Sequence, residues 1–184
     1  RAIREDKVFA YPFYGYWRDV GTIQAYWEAN MDVLRPGSGI SPEAWDICSN
    51  PEYGDRPMDR QAARFVSGCK VHASMISVGC IIEGTVTNSV LSPGVWVRKG
   101  AVVNNSVIFH DSVIEEGAKV DLAICDKRVY VREGAVVGQG EDLHVANRLF
   151  PKHLYTGITL VGKEARVPAH AHIGRNCRVT YGFN

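Results

Sequence analysis

The sequence predicts a mainly β solenoid, in which short parallel strands wind into stacked coils. The first observation is a repeat of 17 residues over 88–104, 105–121 and 122–138, with glycine and valine in register. The second is a six-residue spacing of branched aliphatic residues from Val161 to Val179. A repeated unit this short cannot bury its apolar side alone, so each copy must stack on its neighbours.

The first part of the chain, 1–35, predicts one strand and one helix. Residues 8–13 are apolar and aromatic and predict a short strand, with Pro12 near its end. Thr22 is a good N-cap, and the residues after it are apolar at helical spacing. Because Pro36 and Gly37 end this pattern, we expect an amphipathic helix of about three turns. Its apolar residues are Ile23, Tyr26, Trp27, Met31 and Leu34.

Residues 36–66 are predicted to be a linker, because prolines, glycines and scattered charges replace any periodic pattern. Trp45 and Ile47 are the large apolar residues here that we expect to pack on a neighbouring surface.

From residue 67 to 184, valine and isoleucine recur with glycine at the turns. A six-residue period indicates a short strand plus a corner, with the branched residue pointing inward and glycine at the corner. The hexads VGKEAR, VPAHAH and IGRNCR resemble the left-handed parallel β-helix family. The resemblance alone implies the left hand, since parallel crossovers are right-handed in about 98% of cases. A period of 17 is one short of three hexads, so one corner is expected to be tighter.

Residues 139–157 interrupt this pattern with charges and Pro151. We predict a loop excursion from the coil, and such loops on rigid scaffolds often carry ligand contacts.

Composition limits the function classes. The chain has 184 residues, 46% of them hydrophobic, and 21 Lys and Arg against 20 Asp and Glu. A net charge of +1 provides no general field for nucleic acid or an anionic membrane. The five cysteines lack CxxC spacing. No apolar run approaches the ~20 residues needed to cross a bilayer, and the first residues lack the order of a signal peptide. We therefore expect a cytoplasmic protein with reduced cysteines, without structural zinc, nucleic-acid partners or membrane partners.

The motif GYWRDVGT at 15–22 carries the candidate chemistry. Taken alone, Asp19 is an acidic residue before a helix start, where the positive end of the helix dipole stabilises it, and Trp17 is a packing aromatic. The longer string AYPFYGYWRDVGTIQAYWEANMDVL at 10–34 resembles the end of the catalytic domain of the glucose-1-phosphate adenylyltransferase family, also called ADP-glucose pyrophosphorylases. The resemblance implies that 1–35 is the C-terminal remnant of an α/β nucleotidyltransferase domain. It also implies that Asp19 is a Mg²⁺ ligand and that Trp17 lies at the sugar-nucleotide pocket.

The resemblance implies that the full-length protein makes ADP-glucose and pyrophosphate from ATP and glucose 1-phosphate, for glycogen or starch synthesis. Mg²⁺ held by carboxylates would neutralise the phosphate oxygens. The glycine-rich GGxGxR loop of that family does not occur in these residues. Residues 37–39 are the nearest candidate, but they follow a helix instead of opening one. The chain is therefore expected to be inactive by itself.

The resemblance also implies roles for the β-helix in a homotetramer and in binding an anionic metabolite effector. Residues 156–168 match the segment in which Lys163 would bind the activator, with Arg166 as a second, bidentate phosphate partner. The alternative is that Lys163 is a solvated corner residue.

Other functions stay open. Hexapeptide acyltransferases use a histidine as general base, and His144 and His153 on the excursion are the best candidates, although GYWRDVGT has no use in such an enzyme. The chain could instead be only an oligomerisation and regulatory module, or part of a related enzyme such as a mannose-1-phosphate guanylyltransferase. The remaining histidines are His72, His110, His170 and His172.

Overall fold

The chain forms a left-handed parallel β-helix preceded by a helix, as the sequence predicts. The computed structural model describes residues 2–48, 50 and 60–182, and within them it has three sheets of six strands. The first sheet contains β1 (Arg64–Phe65), β4 (Ile81–Ile82), β7 (Trp96–Val97), β10 (Val113–Ile114), β13 (Tyr130–Val131) and β16 (Arg166–Val167). The second contains β2 (Lys70–His72), β5 (Thr85–Thr87), β8 (Val102–Asn104), β11 (Lys119–Asp121), β14 (Val136–Val137) and β17 (His172–Ile173). The third contains β3 (Met75–Ile76), β6 (Val90–Leu91), β9 (Val107–Ile108), β12 (Ala123–Cys125), β15 (Thr159–Val161) and β18 (Arg178–Val179).

Branched residues stack in rungs inside the prism. Within each sheet, neighbouring strands come from successive coils and are parallel, so that Val97 lies opposite Ile114, which lies opposite Val131. These three side chains are fully buried. Val161 and Val179 are paired on the third sheet. Between them the chain passes once through each of the other two sheets, in steps of six residues. The prediction that both periodicities describe one stacked core is confirmed.

The predicted tighter corner lies between the second and third sheets. The inward residues Val97, Val103, Ile108 and Ile114 are separated by six, five and six residues, so the short step is from Val103 to Ile108. In the four coils before the excursion, one residue of this corner adopts a left-handed backbone: Ala73, Asn88, Asn105 with φ 48°, and Leu122. Asparagine tolerates this region better than most residues, which explains its place in the repeat.

Two ladders of hydrogen bonds, one between side chains and one from backbone amides to serine hydroxyls, connect successive coils at this corner. Asn88 Nδ2 donates to Asn105 Oδ1 at 2.8 Å, and Asn105 Nδ2 donates to Asp121 Oδ1 at 3.0 Å. Beneath them the fully buried Ser89 hydroxyl accepts from the Ser106 amide at 3.1 Å. The buried corner therefore keeps its polar groups paired from coil to coil.

The first part of the chain contains α1 (Ala2–Glu5) and α2 (Ile23–Asp32). The predicted helix is confirmed: Thr22 is its N-cap and accepts from the Ala25 amide at 3.1 Å. The predicted strand over 8–13 is wrong. Its side chains are exposed, and no strand in the described part of the chain pairs with it, so the apolar pattern has no sheet to join.

Only part of the predicted linker, 36–66, can be compared with the structure, because residues 49 and 51–59 lie outside the described residues. The first strand of the β-helix, β1, already begins at Arg64. Just before it, the Arg60 guanidinium forms a two-pronged ion pair with Asp111, at 2.7 and 3.1 Å, which attaches this end of the segment to the coil. Trp45 packs against Tyr16, with ring centroids 6.0 Å apart.

No helix in residues 2–48, 50 or 60–182 is long and apolar enough to cross a membrane.

The buried cysteines are predicted to resist alkylation. Burial raises the pKa of the Cys80 thiol to about 11 and that of Cys125 to about 12, whereas Cys48 is exposed. Because only thiolates react, iodoacetamide at pH 8 should modify Cys48 while Cys80 and Cys125 stay unmodified, as measured by mass spectrometry. In guanidinium chloride all five should react. Native labelling of Cys125 at the rate of Cys48 would contradict its place inside the prism.

Candidate functional site

Helix α2 is fixed on the outer face of the third sheet. Trp27 Nε1 donates to the carbonyl oxygen of Asn105 at 2.8 Å, and the Tyr26 ring stacks on Phe109 with centroids 6.4 Å apart. Met31 on the same helix is fully buried. The helix that follows the GYWRDVGT motif is thus part of the packed body of the protein.

Asp19 and Trp17 both lie at the surface, just before α2. Asp19 Oδ1 accepts a hydrogen bond from the Gly21 amide at 3.1 Å, which forms a turn into the N-cap Thr22. The Trp17 side chain is 75% exposed. The described residues contain no group of three or more His, Cys, Asp or Glu side chains that could hold a metal ion. Asp19 therefore offers one carboxylate, which suits Mg²⁺ as one ligand among substrate phosphates and water.

Arg18 of the motif turns toward α2. Its guanidinium pairs with Glu28 and with Asp32, the latter at 2.7 Å from Nη2 to Oδ2. Tyr16 completes the network, since its hydroxyl donates to Asp32 Oδ2 at 2.9 Å and accepts from Arg18 Nε at 3.2 Å. Partial burial raises the pKa of Tyr16, so this hydroxyl keeps its proton for donation. Glu28 and Asp32 were not predicted as site residues, although their spacing of four residues places them on one helix face.

A cavity of about 660 Å³ lies between α2 and the last coils of the β-helix. Tyr26 and Phe109 form one end, and Ile124 and Leu160 on the outer face of the third sheet form its apolar floor. Its basic residues come from three separate stretches of the chain: Lys127, Lys163 and Arg178. Lys163, predicted as an effector ligand, thus lines a pocket with two further cations and one wall from α2.

Arg166 does not join Lys163 in that cavity. It lies on the outer face of the first sheet, where its guanidinium stacks over the Tyr130 ring, 4.7 Å from the centroid. It lines a second cavity of about 380 Å³ with Arg128 and Glu164. Tyr181 lines both cavities, so the cavities that contain the two predicted effector residues are neighbours at this residue.

The predicted excursion, 139–157, connects β14 to β15 without helix or strand. It is attached to the coil by Asn176, whose Nδ2 donates to the carbonyl oxygens of Leu143 and Val145 at 3.0 and 2.9 Å. The Asn176 side chain also accepts from the Gly157 amide at 2.7 Å. His144 and His153 are exposed on this loop.

Three parallel sheets, stacked rungs and a six-residue strand spacing define a hexapeptide-repeat β-helix protein. The family model described as "GlmU-like, C-terminal hexapeptide" matches residues 61–161. The chain belongs to this GlmU-like, C-terminal hexapeptide family.

The chain is also similar to glucose-1-phosphate adenylyltransferases. It is 42% identical over 173 residues to that of Acetivibrio thermocellus, which covers 92% of the chain and 38% of the relative. For that of Thermomicrobium roseum the identity is 47% over 177 residues, covering 95% of the chain and 40% of the relative. The chain spans about two fifths of the length of these curated relatives and matches their C-terminal region. The resemblance found in the sequence is confirmed.

Proposed function

We propose that the chain is the C-terminal part of an enzyme that makes ADP-glucose and pyrophosphate from ATP and glucose 1-phosphate. The observation that carries the proposal is the 47% identity to the Thermomicrobium roseum relative over 95% of the chain. A match of that extent includes the GYWRDVGT motif as well as the β-helix. The name of these relatives, glucose-1-phosphate adenylyltransferase, denotes the transfer of an adenylyl group to glucose 1-phosphate.

Asp19 and Trp17 are the residues that this chain would contribute to the active site. The exposed Asp19 carboxylate, fixed by the Gly21 amide, would hold Mg²⁺ together with groups from outside these residues. Mg²⁺ neutralises phosphate oxygens during nucleotidyl transfer. The 75% exposed Trp17 offers an aromatic face for a sugar nucleotide. Because these residues form only one edge of a site, the chain alone is proposed to be inactive.

The test is direct. The full-length protein should form ADP-glucose and pyrophosphate from ATP, glucose 1-phosphate and Mg²⁺, whereas the 184-residue chain should form neither. A full-length protein that makes no ADP-glucose would refute the proposal, and preference for GTP with mannose 1-phosphate would replace it with the guanylyltransferase alternative. Acetyl transfer from acetyl-CoA by the isolated chain would favour the acyltransferase.

The β-helix would supply subunit contacts and an effector site. Half-buried apolar side chains line the outer face of the first sheet, which supports its use in a homotetramer. These side chains are Ile81, Trp96, Val113 and Tyr130. The cavity near Lys163 supports binding of an anionic metabolite, because three cationic side chains and one carboxylate, that of Asp126, line it above an apolar floor.

Substitution of Lys163 tests the effector role. In the full-length enzyme, Lys163→Ala should raise the concentration of activator needed for half-maximal activation about 10-fold, because one charge-assisted contact is lost. Basal turnover should remain nearly unchanged. Lys119→Ala is the matched control, since Lys119 is an exposed lysine on the outer face of a different sheet. An activation curve unchanged by Lys163→Ala would make Lys163 a solvated corner residue.

A further inference from the structure

The Arg18 network connects the candidate catalytic turn to a nearly buried carboxylate. Asp32 is 5% exposed overall, although it sits at the end of α2 and its side chain is charged. A buried charge is costly unless it is paired. Two of the partners of Asp32, the Arg18 guanidinium and the Tyr16 hydroxyl, belong to the residues on either side of Trp17. The motif is therefore held at one fixed place along the helix.

A second carboxylate on α2 also fixes the orientation of the Arg18 guanidinium. Arg18 uses one end of its guanidinium for Glu28 and the other for Asp32, one helical turn apart. A planar guanidinium held at two points along the helix has little freedom to rotate. Because Asp19 follows Arg18 directly, the two contacts restrict where the Asp19 carboxylate can point.

The helix itself is fixed on the β-helix. The Trp27 hydrogen bond to Asn105 and the Tyr26 stack on Phe109 attach the same two turns that carry Glu28 and Asp32. Tyr26 also forms a wall of the cavity that contains Lys163. The described contacts thus run without a break from the β-helix through α2 to Arg18.

We propose that Asp32, together with Glu28, positions Arg18 and thereby fixes the Asp19-bearing turn relative to the β-helix. The proposal rests on the proposed function, because it assigns Asp19 a place in the active site. Asp32 is a positioning residue in this scheme, since it acts through Arg18 and touches no substrate. Loss of its charge would free the turn, and misplacement of a reacting group by about 1 Å can cost about 100-fold in rate.

The chain provides a matched control on the same carboxylate. Arg35 pairs with Asp32 Oδ1 at 3.5 Å, and its side chain is 56% exposed. Arg35 lies outside the GYWRDVGT motif and follows the end of α2 in the sequence. Arg35→Gln therefore removes one arginine from Asp32 without releasing the turn that carries Asp19.

The experiment compares Asp32→Asn, Glu28→Gln and Arg35→Gln in the full-length protein by hydrogen exchange and by kinetics. Asp32→Asn should speed amide exchange in 15–22 about 10-fold, lower kcat for ADP-glucose about 10- to 100-fold, and raise the Mg²⁺ concentration needed for half-maximal rate. Arg35→Gln should change none of these. Glu28→Gln, at a half-exposed position, should show a smaller effect in the same direction and keeps the test valid if Asp32→Asn does not fold.

The outcomes separate the two proposals. Unchanged exchange in 15–22 would overturn the positioning role whatever the activity. Faster exchange with unchanged kcat and Mg²⁺ dependence, in an enzyme that makes ADP-glucose, would show that the turn is held for a structural purpose only and would also overturn it. If the unsubstituted protein makes no ADP-glucose, the proposed function fails, while exchange still decides whether Asp32 fixes the turn.

Discussion

Replacing Asp19 by asparagine in the full-length protein is expected to lower kcat for ADP-glucose synthesis about 1,000-fold or more. Asparagine keeps the shape of the side chain and the oxygen that accepts from the Gly21 amide, but removes the charge that Mg²⁺ requires. A bound metal stabilises transition-state charge by several kcal/mol, and each ~1.4 kcal/mol is worth a factor of ten. The measurement is the initial rate of ADP-glucose formation at saturating substrates and increasing Mg²⁺.

The fold should not change in this variant. Asp19 is exposed and its only described hydrogen bond is local, so the melting temperature should stay within a few degrees of the unsubstituted protein. Asp6→Asn, at another exposed aspartate of the same N-terminal stretch, is the control and should retain full activity. Turnover retained by Asp19→Asn would refute the magnesium role, and an equal loss in Asp6→Asn would point to a general charge effect.

The repeat allowed much of the fold to be predicted from the sequence. Stacked strands have a fixed inward residue, so the spacing of Val161, Val167, Ile173 and Val179 translates directly into rungs. The period of 17 also predicted a tighter corner, although only the structure places it between Val103 and Ile108. The position of the tighter corner depends on residues with a left-handed backbone and on buried serines. Their side-chain ladders cannot be detected from the spacing of hydrophobic residues.

The strand predicted over 8–13 failed for a complementary reason. Aromatic and apolar residues favour a strand only when a neighbouring backbone accepts their hydrogen bonds. Phe9, Tyr11 and Phe13 are 86%, 87% and 64% exposed, and no described strand pairs with them. The helix beside them was predicted correctly because its N-cap and its apolar face are both local in sequence.

The candidate site could be predicted only where it is a contiguous motif. Asp19 and Trp17 were predicted from the family resemblance of the string at 10–34, but the partners of Arg18 on α2, 10 and 14 residues further on, were not. Lys163 was found from a local resemblance, whereas Lys127 and Arg178 reach the same cavity only because coils on either side of the excursion stack together. The approach of these basic side chains to one cavity depends on how the coils wind in three dimensions. No local sequence pattern therefore predicts it.

A substitution at Gly84 should be among the most damaging single changes in the β-helix. The inward residues Ile82 and Val86 are only four residues apart, so the corner between their strands is the shortest of its coil. Gly84 lies in it, and a Cβ atom there would come within 2.3 Å of the Ala101 carbonyl oxygen and 2.7 Å of that of Arg98. Both atoms belong to the backbone and cannot turn away. We expect Gly84→Ala to destabilise the chain by about 3 kcal/mol, the upper part of the range for overpacking.

Thermal unfolding of the 184-residue chain measures this effect, because about 3 kcal/mol corresponds to a melting temperature roughly 6–12 °C lower for a chain of this size. Gly174→Ala is the matched control: Gly174 also has no left-handed backbone, and its Cβ would meet nothing closer than 4.0 Å. There the reduced freedom of the unfolded chain should make the change neutral or stabilising by about 0.5 kcal/mol. Equal melting temperatures for the two variants would mean that the short corner opens at little cost. In that case the spacing of the coils would be less rigid than the paired strands require. The stacking that brings Lys127 close to Lys163 would then be less rigid as well.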